Sequence, residues 1–145
     1  MAYSYIDTSA LAKWYLPEPG SEAFAKWCQK QKDTCISSLS ITEFRCLLAR
    51  RQRMQLLSGD QVQEIYANFE QDRQEGHLIH IPVTDQHVMG ALLMIKSLPT
   101  VALRTLDALH LSIAKEISVE ILATADEIMA QAASLIEIKV EWFGP

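Results

Sequence analysis

The sequence contains few cysteines and no long apolar segment, and both absences exclude classes of protein. Only Cys28, Cys35 and Cys46 occur among 145 residues, and no two of them form a Cys-x-x-Cys pair. This usage argues against a disulfide framework and against a zinc or redox site. No run approaches the roughly 18 consecutive apolar residues of a transmembrane helix, and the first residues lack the basic segment of a signal peptide. We therefore expect a soluble, cytoplasmic protein without a membrane span.

Glycine and proline are also scarce, and basic residues are outnumbered by acidic ones. Five glycines and five prolines exclude collagen-like or low-complexity character, and 49% apolar residues are ordinary for one globular domain. Thirteen lysines and arginines face 18 aspartates and glutamates, which gives a net charge of −5. A passive nucleic-acid-binding protein is usually basic. Either the partners are not polyanions, or acidic residues are concentrated where metal ions neutralise them.

Short apolar segments alternate with helical segments along the whole chain. The predicted strands are Tyr3–Ile6, Thr34–Ser37, Leu78–Pro82, Ile121–Thr124 and Lys139–Phe143. The predicted helices, most of them begun by a capping residue, cover about 8–15, 21–30, 40–53, 59–75, 85–97, 105–117 and 126–135. No linker or repeat divides the chain, so residues 1–145 are predicted to form one domain. This alternation predicts an α/β fold: a three-layer α/β/α sandwich around a short, mainly parallel five-stranded sheet.

Four carboxylates fall where such a sheet binds its ligands, beyond the carboxyl ends of its strands. Asp7 ends the first predicted strand, and Asp126 lies two residues beyond the fourth. Glu43 and Asp107 are each predicted in the first turn of a helix. We expect these four side chains at one rim, where the amide dipoles of nearby helix N-termini favour the ionised form.

Each carboxylate also has a purely structural interpretation. Asp7 is a plausible turn residue, Asp126 a plausible helix cap, and Ser40-Ile41-Thr42-Glu43 fits a capping box. Asp107 is different because it shares a helical stripe with the apolar Leu111, while Thr105 is the predicted cap of that helix. A partly buried carboxylate at that position needs a partner or a metal ion.

Four segments, taken in order, resemble the motifs of PIN-domain ribonucleases. They are Tyr5-Ile6-Asp7-Thr8-Ser9-Ala10-Leu11, Ser40-Ile41-Thr42-Glu43 with Leu47, Leu103-Arg104-Thr105-Leu106-Asp107-Ala108-Leu109-His110-Leu111, and Ile121-Leu122-Ala123-Thr124-Ala125-Asp126. Each motif alone is weakly specific, but the ordered set spans almost the whole chain. The size of the chain is similar to that of VapC-type toxins of prokaryotic toxin–antitoxin pairs.

The resemblance implies a metal-dependent endoribonuclease. Asp7, Glu43, Asp107 and Asp126 would be the catalytic metal ligands for one or two Mg²⁺ or Mn²⁺ ions, which would offset the repulsion between gathered carboxylates. Thr8, Ser9 and Thr124 are candidates for orienting water or phosphate, and Lys13, Arg45 and Arg104 for contacting RNA. The implied partners are an RNA substrate, a cognate antitoxin and a second copy in a homodimer.

Several features allow more than one interpretation. Trp14 and Tyr15 suit base stacking, the core or a dimer contact, and Arg50-Arg51-Gln52-Arg53 suits either a solvated helix end or contact with RNA. His110, three residues after Asp107, is a candidate partner for that carboxylate, and the apolar helix 90–98 suits either the core or a homodimer face. The alternative function is a non-catalytic binding module whose acidic rim serves as a docking surface. An aspartyl-phosphate mechanism would want Asp-x-Asp, but Ser9 stands in the second position.

Overall fold

The sheet has five parallel strands with the first strand at its centre. The computed structural model describes residues 2–145. The strands are β1 Tyr3–Ile6, β2 Asp33–Ser37, β3 Ile79–Ile81, β4 Ile121–Thr124 and β5 Lys139–Trp142. Their spatial order is β3-β2-β1-β4-β5, and every neighbouring pair is parallel. The predicted α/β fold with a parallel five-stranded sheet is therefore confirmed.

Helices cover both faces of this sheet. They are α1 Thr8–Tyr15, α2 Ser21–Gln29, α3 Ser38–Arg53, α4 Gly59–Gln74, α5 Asp85–Ser97, α6 Thr105–Glu116 and α7 Glu127–Leu135. Consecutive strand residues point to opposite faces, so Tyr5 and Leu122 join one apolar cluster, whereas Ile6 and Ala123 join the other. The first cluster includes residues of α5, α6 and α7, and the second includes residues of α1 to α4. The result is the predicted sandwich of three layers.

The strand order reverses beside β1, and this places a crevice at the carboxyl ends of β1 and β4. The chain proceeds from β1 outward to β2 and β3, then returns to the other side of β1 for β4 and β5. Ligands of open parallel sheets bind at such a switch point. Asp7 directly follows β1, and Asp126 lies two residues beyond the end of β4, so the topology places both at this crevice.

Two helix starts differ from the sequence-based predictions. Ser37, not Ser40, is the N-cap of α3, and its backbone N–H donates to Ser40 Oγ at 3.4 Å. The predicted capping box of Ser40 and Glu43 is therefore wrong, and Glu43 lies in the second turn. Arg104, not Thr105, is the N-cap residue of α6, because Asp107 Oδ2 accepts the Arg104 backbone N–H at 3.2 Å.

The apolar helix noted in the sequence is only partly buried. On α5, Ala91 and Met94 pack into the core, while Met89, Leu92 and Leu93 are exposed. This helix therefore contributes both to the core and to an apolar surface. Within residues 2–145, no helix combines the length and apolarity needed to cross a membrane.

Candidate metal centre

A cavity of about 280 Å³ brings the four predicted carboxylates together at the crevice. Asp7 and Asp107 are buried, whereas Glu43 and Asp126 are half-buried. The other residues that line the cavity are Thr8, Ser9, Cys46, Leu47, Arg50, Arg104, Leu106, His110 and Met129. The four carboxylates come from the junction of β1 and α1, from α3, from α6 and from the β4–α7 turn. They converge on one volume although Asp7 and Asp126 are 119 positions apart in sequence.

Asp7 is held by hydrogen bonds to both carboxylate oxygens. Thr124 Oγ1 donates to Oδ2 at 2.5 Å, while Ser9 Oγ and the Ala10 backbone N–H donate to Oδ1 at 2.7 and 3.0 Å. Burial raises the pKa of Asp7 above its usual value, although His110 and these hydrogen bonds lower it in part. The fold therefore fixes the orientation of this carboxylate. Its hydrogen bonds do not fully offset the cost of burying its negative charge, and a bound cation would reduce that cost.

Glu43 has two donors on one oxygen. His110 Nε2 lies 2.6 Å and Thr8 Oγ1 2.7 Å from Glu43 Oε1. Burial raises the pKa of Glu43, but the hydrogen bond and charge of His110 and the bond from Thr8 outweigh it, so the pKa lies below its usual value. In the described chain no group donates to Oε2, which leaves that oxygen available to a ligand.

Asp107 and Asp126 each use one oxygen to cap a helix. Asp107 Oδ2 accepts the Arg104 backbone N–H, and Asp126 Oδ1 accepts the backbone N–H groups of Ile128 and Met129 at 2.9 and 3.1 Å. The structural interpretation of Asp126 as a cap is therefore correct, and Asp107 has a cap role that its sequence did not suggest. The Arg104 side chain bridges the two carboxylates, at 3.4 Å from Asp107 Oδ2 and 3.5 Å from Asp126 Oδ2.

This donor set fits a hard divalent cation. Carboxylate oxygens are the ligands that Mg²⁺ and Mn²⁺ prefer, and each of the four carboxylates has one oxygen outside the helix caps and the His110 contact. Among residues 2–145, only Asp72, Glu75 and His77, on the surface, bring three potential ligand atoms within 4.8 Å of one another. The cavity carboxylates are more widely spaced, which suits Mg²⁺ because it keeps several waters and needs few protein ligands.

The three hydroxyls predicted to orient water or phosphate have distinct positions. Ser9 and Thr124 both donate to Asp7, and each also accepts a backbone N–H, from Ala125 and Asp126 respectively. Thr8 donates to Glu43 instead. All three hydroxyls therefore orient carboxylates, and none is committed only to capping a helix.

Of the three predicted RNA contacts, only Arg104 lines the cavity. Lys13 is buried, and its ammonium donates to Glu18 Oε1 at 3.1 Å and to the Pro19 carbonyl at 2.6 Å. Arg45 is exposed, but its guanidinium lies 5.9 Å from the centre of the Tyr66 ring and outside the cavity lining. The predictions for Lys13 and Arg45 are therefore not supported by their positions.

Arg50, for which the sequence favoured a solvated helix end, is a second basic residue that lines the cavity. The sequence does contain one indication that Arg50 lies near the carboxylates. Arg50 follows Glu43 by seven residues, which is two turns along the same face of α3.

The contacts decide two interpretations that the sequence left open. Tyr15 packs against Phe44 and Phe69 and donates its hydroxyl to Asp72, so it is a core residue and not a base-stacking platform. Trp14 packs edge-on against Phe24 and does not line the cavity. His110 contacts Glu43, where the sequence suggested Asp107.

Comparisons with known proteins agree with this architecture. A family model described as the PIN domain matches residues 4–135, whereas no curated protein sequence matches the chain. Among solved structures, Mycobacterium tuberculosis VapC20, a Sarcin-Ricin loop cleaving toxin, superposes with a TM-score of 0.72 at 16% identity, covering 89% of this chain and 94% of that one. FitAcB from Neisseria gonorrhoeae has a TM-score of 0.72 at 20% identity, covering 94% and 95%. DNA-bound VapBC from Salmonella typhimurium has a TM-score of 0.65 at 16% identity, covering 99% of each chain.

Proposed function

The chain belongs to the PIN domain family, and from this premise we propose that it is a metal-dependent endoribonuclease and the toxin of a toxin–antitoxin pair. The observation that supports this most directly is the single cavity lined by Asp7, Glu43, Asp107 and Asp126. The structural neighbours of the chain are VapC toxins of VapBC toxin–antitoxin systems, and one of these toxins is a Sarcin-Ricin loop cleaving toxin. We therefore assign RNA as the substrate class and the cytoplasm as the place of action.

In the proposed mechanism, Asp7 and Asp107 hold the metal directly, and Glu43 and Asp126 hold it directly or through water. One or two Mg²⁺ or Mn²⁺ ions supply Lewis-acid activation of water and neutralise charge at the phosphodiester. Ser9 and Thr124 orient Asp7 through the hydrogen bonds described above. Arg104 and Arg50 are the cations available to bind the phosphates that flank the reacting one. Cleavage is expected to leave 5′-phosphate and 3′-hydroxyl ends.

Cleavage of RNA by the purified protein tests the proposed function. We expect cleavage with Mg²⁺ or Mn²⁺, no cleavage when a chelator is present, and full recovery when excess metal is returned. The products are resolved on a gel and their 5′ ends identified by sensitivity to a phosphate-specific exonuclease. Cleavage that persists in chelator would overturn the metal mechanism. Metal binding without cleavage of any RNA would instead favour the non-catalytic binding module.

Replacing Arg104 with alanine is expected to weaken substrate binding more than chemistry. The Arg104 side chain is 71% exposed, so a phosphate can displace its two long ion pairs at small cost. We expect KM to rise about 3- to 10-fold with little change in kcat, consistent with the loss of one polar contact. The dependence of log KM on log salt should also fall by about 0.7. Arg45→Ala, which removes an exposed cation outside the cavity, is the matched control and should change neither quantity.

The proposed partners are a cognate antitoxin and a second copy of this chain. Solved neighbours include toxin–antitoxin complexes, some bound to DNA. An antitoxin arginine could pair with the acidic rim in place of metal, and co-expression should then relieve the growth inhibition that the protein causes alone.

The exposed apolar residues of α5, among them Met89, Leu92 and Leu93, are the surface we assign to a homodimer. Sedimentation velocity distinguishes a dimer from a monomer.

A further inference from the structure

A buried chain of hydrogen bonds runs from the sheet to one of the carboxylates in the cavity. Tyr5 of β1 contacts His110 of α6, and His110 contacts Glu43 of α3. These residues are separated by 105 and 67 positions in sequence. We propose that His110, anchored by Tyr5, is a positioning residue that holds Glu43 in the orientation required to bind the divalent metal ion. The proposal rests on the assignment of Glu43 as a metal ligand.

The imidazole of His110 is held at both of its nitrogens. Nε2 lies 2.6 Å from Glu43 Oε1, and Nδ1 lies 2.6 Å from the Tyr5 hydroxyl oxygen. His110 is 2% exposed, and its ring packs edge-on against the Tyr5 ring with centroids 5.7 Å apart. Since an ionised carboxylate only accepts hydrogen bonds, Nε2 must carry the proton of the contact with Glu43. The position of the ring is therefore fixed, and Nε2 is the nitrogen that donates to Glu43.

Tyr5 provides a rigid anchor for this ring. It is fully buried in the central strand, and its hydroxyl also lies 3.0 Å from Ser37 Oγ at the start of α3. Burial raises the pKa of the Tyr5 phenol, so the hydroxyl stays protonated. Its single proton is donated either to His110 Nδ1 or to Ser37 Oγ, and in the second case Nδ1 donates to the Tyr5 oxygen. The contact between Tyr5 and His110 is kept in both arrangements.

The contact with His110 gives the two carboxylate oxygens of Glu43 different roles. His110 and Thr8 both occupy Oε1, which leaves Oε2 as the oxygen available to an ion. Without His110, Glu43 would keep only the contact with Thr8 and could adopt other rotamers, so the distinction between its two oxygens would weaken. Partners that orient metal ligands in this way typically change metal affinity by 10- to 100-fold when they are removed. A histidine that merely filled the core would affect stability and leave metal affinity unchanged.

Two amide substitutions separate these possibilities. The amide of glutamine reaches the place of Nε2, so His110→Gln preserves the donor to Glu43 and loses the contact with Tyr5. The amide of asparagine reaches only the place of Nδ1, so His110→Asn preserves the contact with Tyr5 and loses the donor. We expect Mn²⁺ affinity, measured by electron paramagnetic resonance on the RNA-free protein, to fall at least 10-fold in His110→Asn. The affinity of the glutamine variant should fall between those of wild type and His110→Asn, because glutamine keeps the donor to Glu43 but loses the contact with Tyr5.

Glu43→Gln, measured in parallel, separates failure of this inference from failure of the proposed function. If Glu43→Gln binds Mn²⁺ as wild type does, Glu43 is not a ligand and the proposed ligand set fails. If Glu43→Gln is weak and His110→Asn is normal, only the positioning role is overturned. Thermal unfolding of each variant reports whether it is folded. If His110→Asn does not fold, Tyr5→Phe takes its place: it should weaken Mn²⁺ binding, and wild-type affinity in that variant would overturn the role of the anchor.

Discussion

Replacing Asp7 with asparagine is expected to abolish RNA cleavage and, at the same time, to raise the temperature at which the metal-free protein unfolds. Cleavage should fall by a factor of about 100 or more, since loss of a direct ligand exceeds the 10- to 100-fold effect of losing an outer partner. The unfolding temperature should rise because burial raises the pKa of the Asp7 carboxyl and so disfavours its charged form. Asparagine carries no charge at this buried position.

The fold can accept asparagine at this position. Asparagine is as good a helix N-cap as aspartate, so its oxygen continues to accept the Ala10 backbone N–H and the Ser9 hydroxyl. Its amide then donates to Thr124 Oγ1, which in turn can donate to Ser9 Oγ, 3.3 Å away. The substitution therefore removes a charge without leaving a buried polar group unpaired.

The stability difference should depend on pH in a defined direction. Because the folded-state pKa of Asp7 is raised, the carboxylate destabilises the folded protein above that pKa. As the pH falls through the folded pKa, wild type takes up a proton and the difference shrinks, and it vanishes below the usual aspartate pKa of about 3.9. Each kcal/mol is worth about 2–4 °C for a domain near this size, so differential scanning calorimetry in chelator resolves the change.

Asp60→Asn is the matched control for Asp7→Asn. Asp60 lies exposed in the first turn of α4, outside the cavity. The same chemical change there should alter neither cleavage nor unfolding by more than the small effects typical of surface substitutions. Wild-type cleavage by Asp7→Asn would remove Asp7 from the proposed ligand set. A lower unfolding temperature would contradict the account of its buried charge.

The element order was predictable because each element carries a local signal. Strands such as Ile121–Thr124 are short and apolar, and Ser58 and Thr84 cap the helices that follow them, as the structure shows. Once the parallel sheet was inferred, the rule on strand ends placed Asp7 and Asp126 at the same crevice. This part of the site depends on topology and needs no knowledge of individual contacts.

Contacts that depend on the path of the backbone could not be predicted from the sequence. Nothing near Lys13 shows that Glu18 and the Pro19 carbonyl bind its ammonium, because that contact depends on the fold of the turn before α2. In that turn Gly20 has φ +91, and a Cβ there would lie 2.6 Å from the Phe143 carbonyl oxygen. Spacing likewise suggested Asp107 as the partner of His110, three residues away, but the packing of α6 beside α3 and β1 directs the ring to Glu43 and Tyr5.

Asparagine at Asp107 is expected to reduce cleavage far more than asparagine at Asp126. Asp107 is buried and, within residues 2–145, uses only Oδ2, which contacts the Arg104 backbone and side chain, so Oδ1 remains for the ion. Asp126 has Oδ1 committed to two backbone N–H groups of α7 and Oδ2 facing Arg104. One oxygen of Asp126 is thus unavailable, and the other needs displacement of a cation before it can bind a metal.

We therefore expect at least a 100-fold loss of kcat/KM for Asp107→Asn, and about 10-fold for Asp126→Asn, the size of an outer-shell effect. Both variants should remain folded, since asparagine retains a side-chain oxygen for each cap, and the two unfolding temperatures provide the control. Single-turnover cleavage at saturating Mg²⁺ measures the difference directly. Equal losses would show that Asp126 binds the ion as closely as Asp107. A larger loss for Asp126 would mean that the ion lies on the β4–α7 side of the cavity, and Arg104 would then have to leave both carboxylates whenever metal binds.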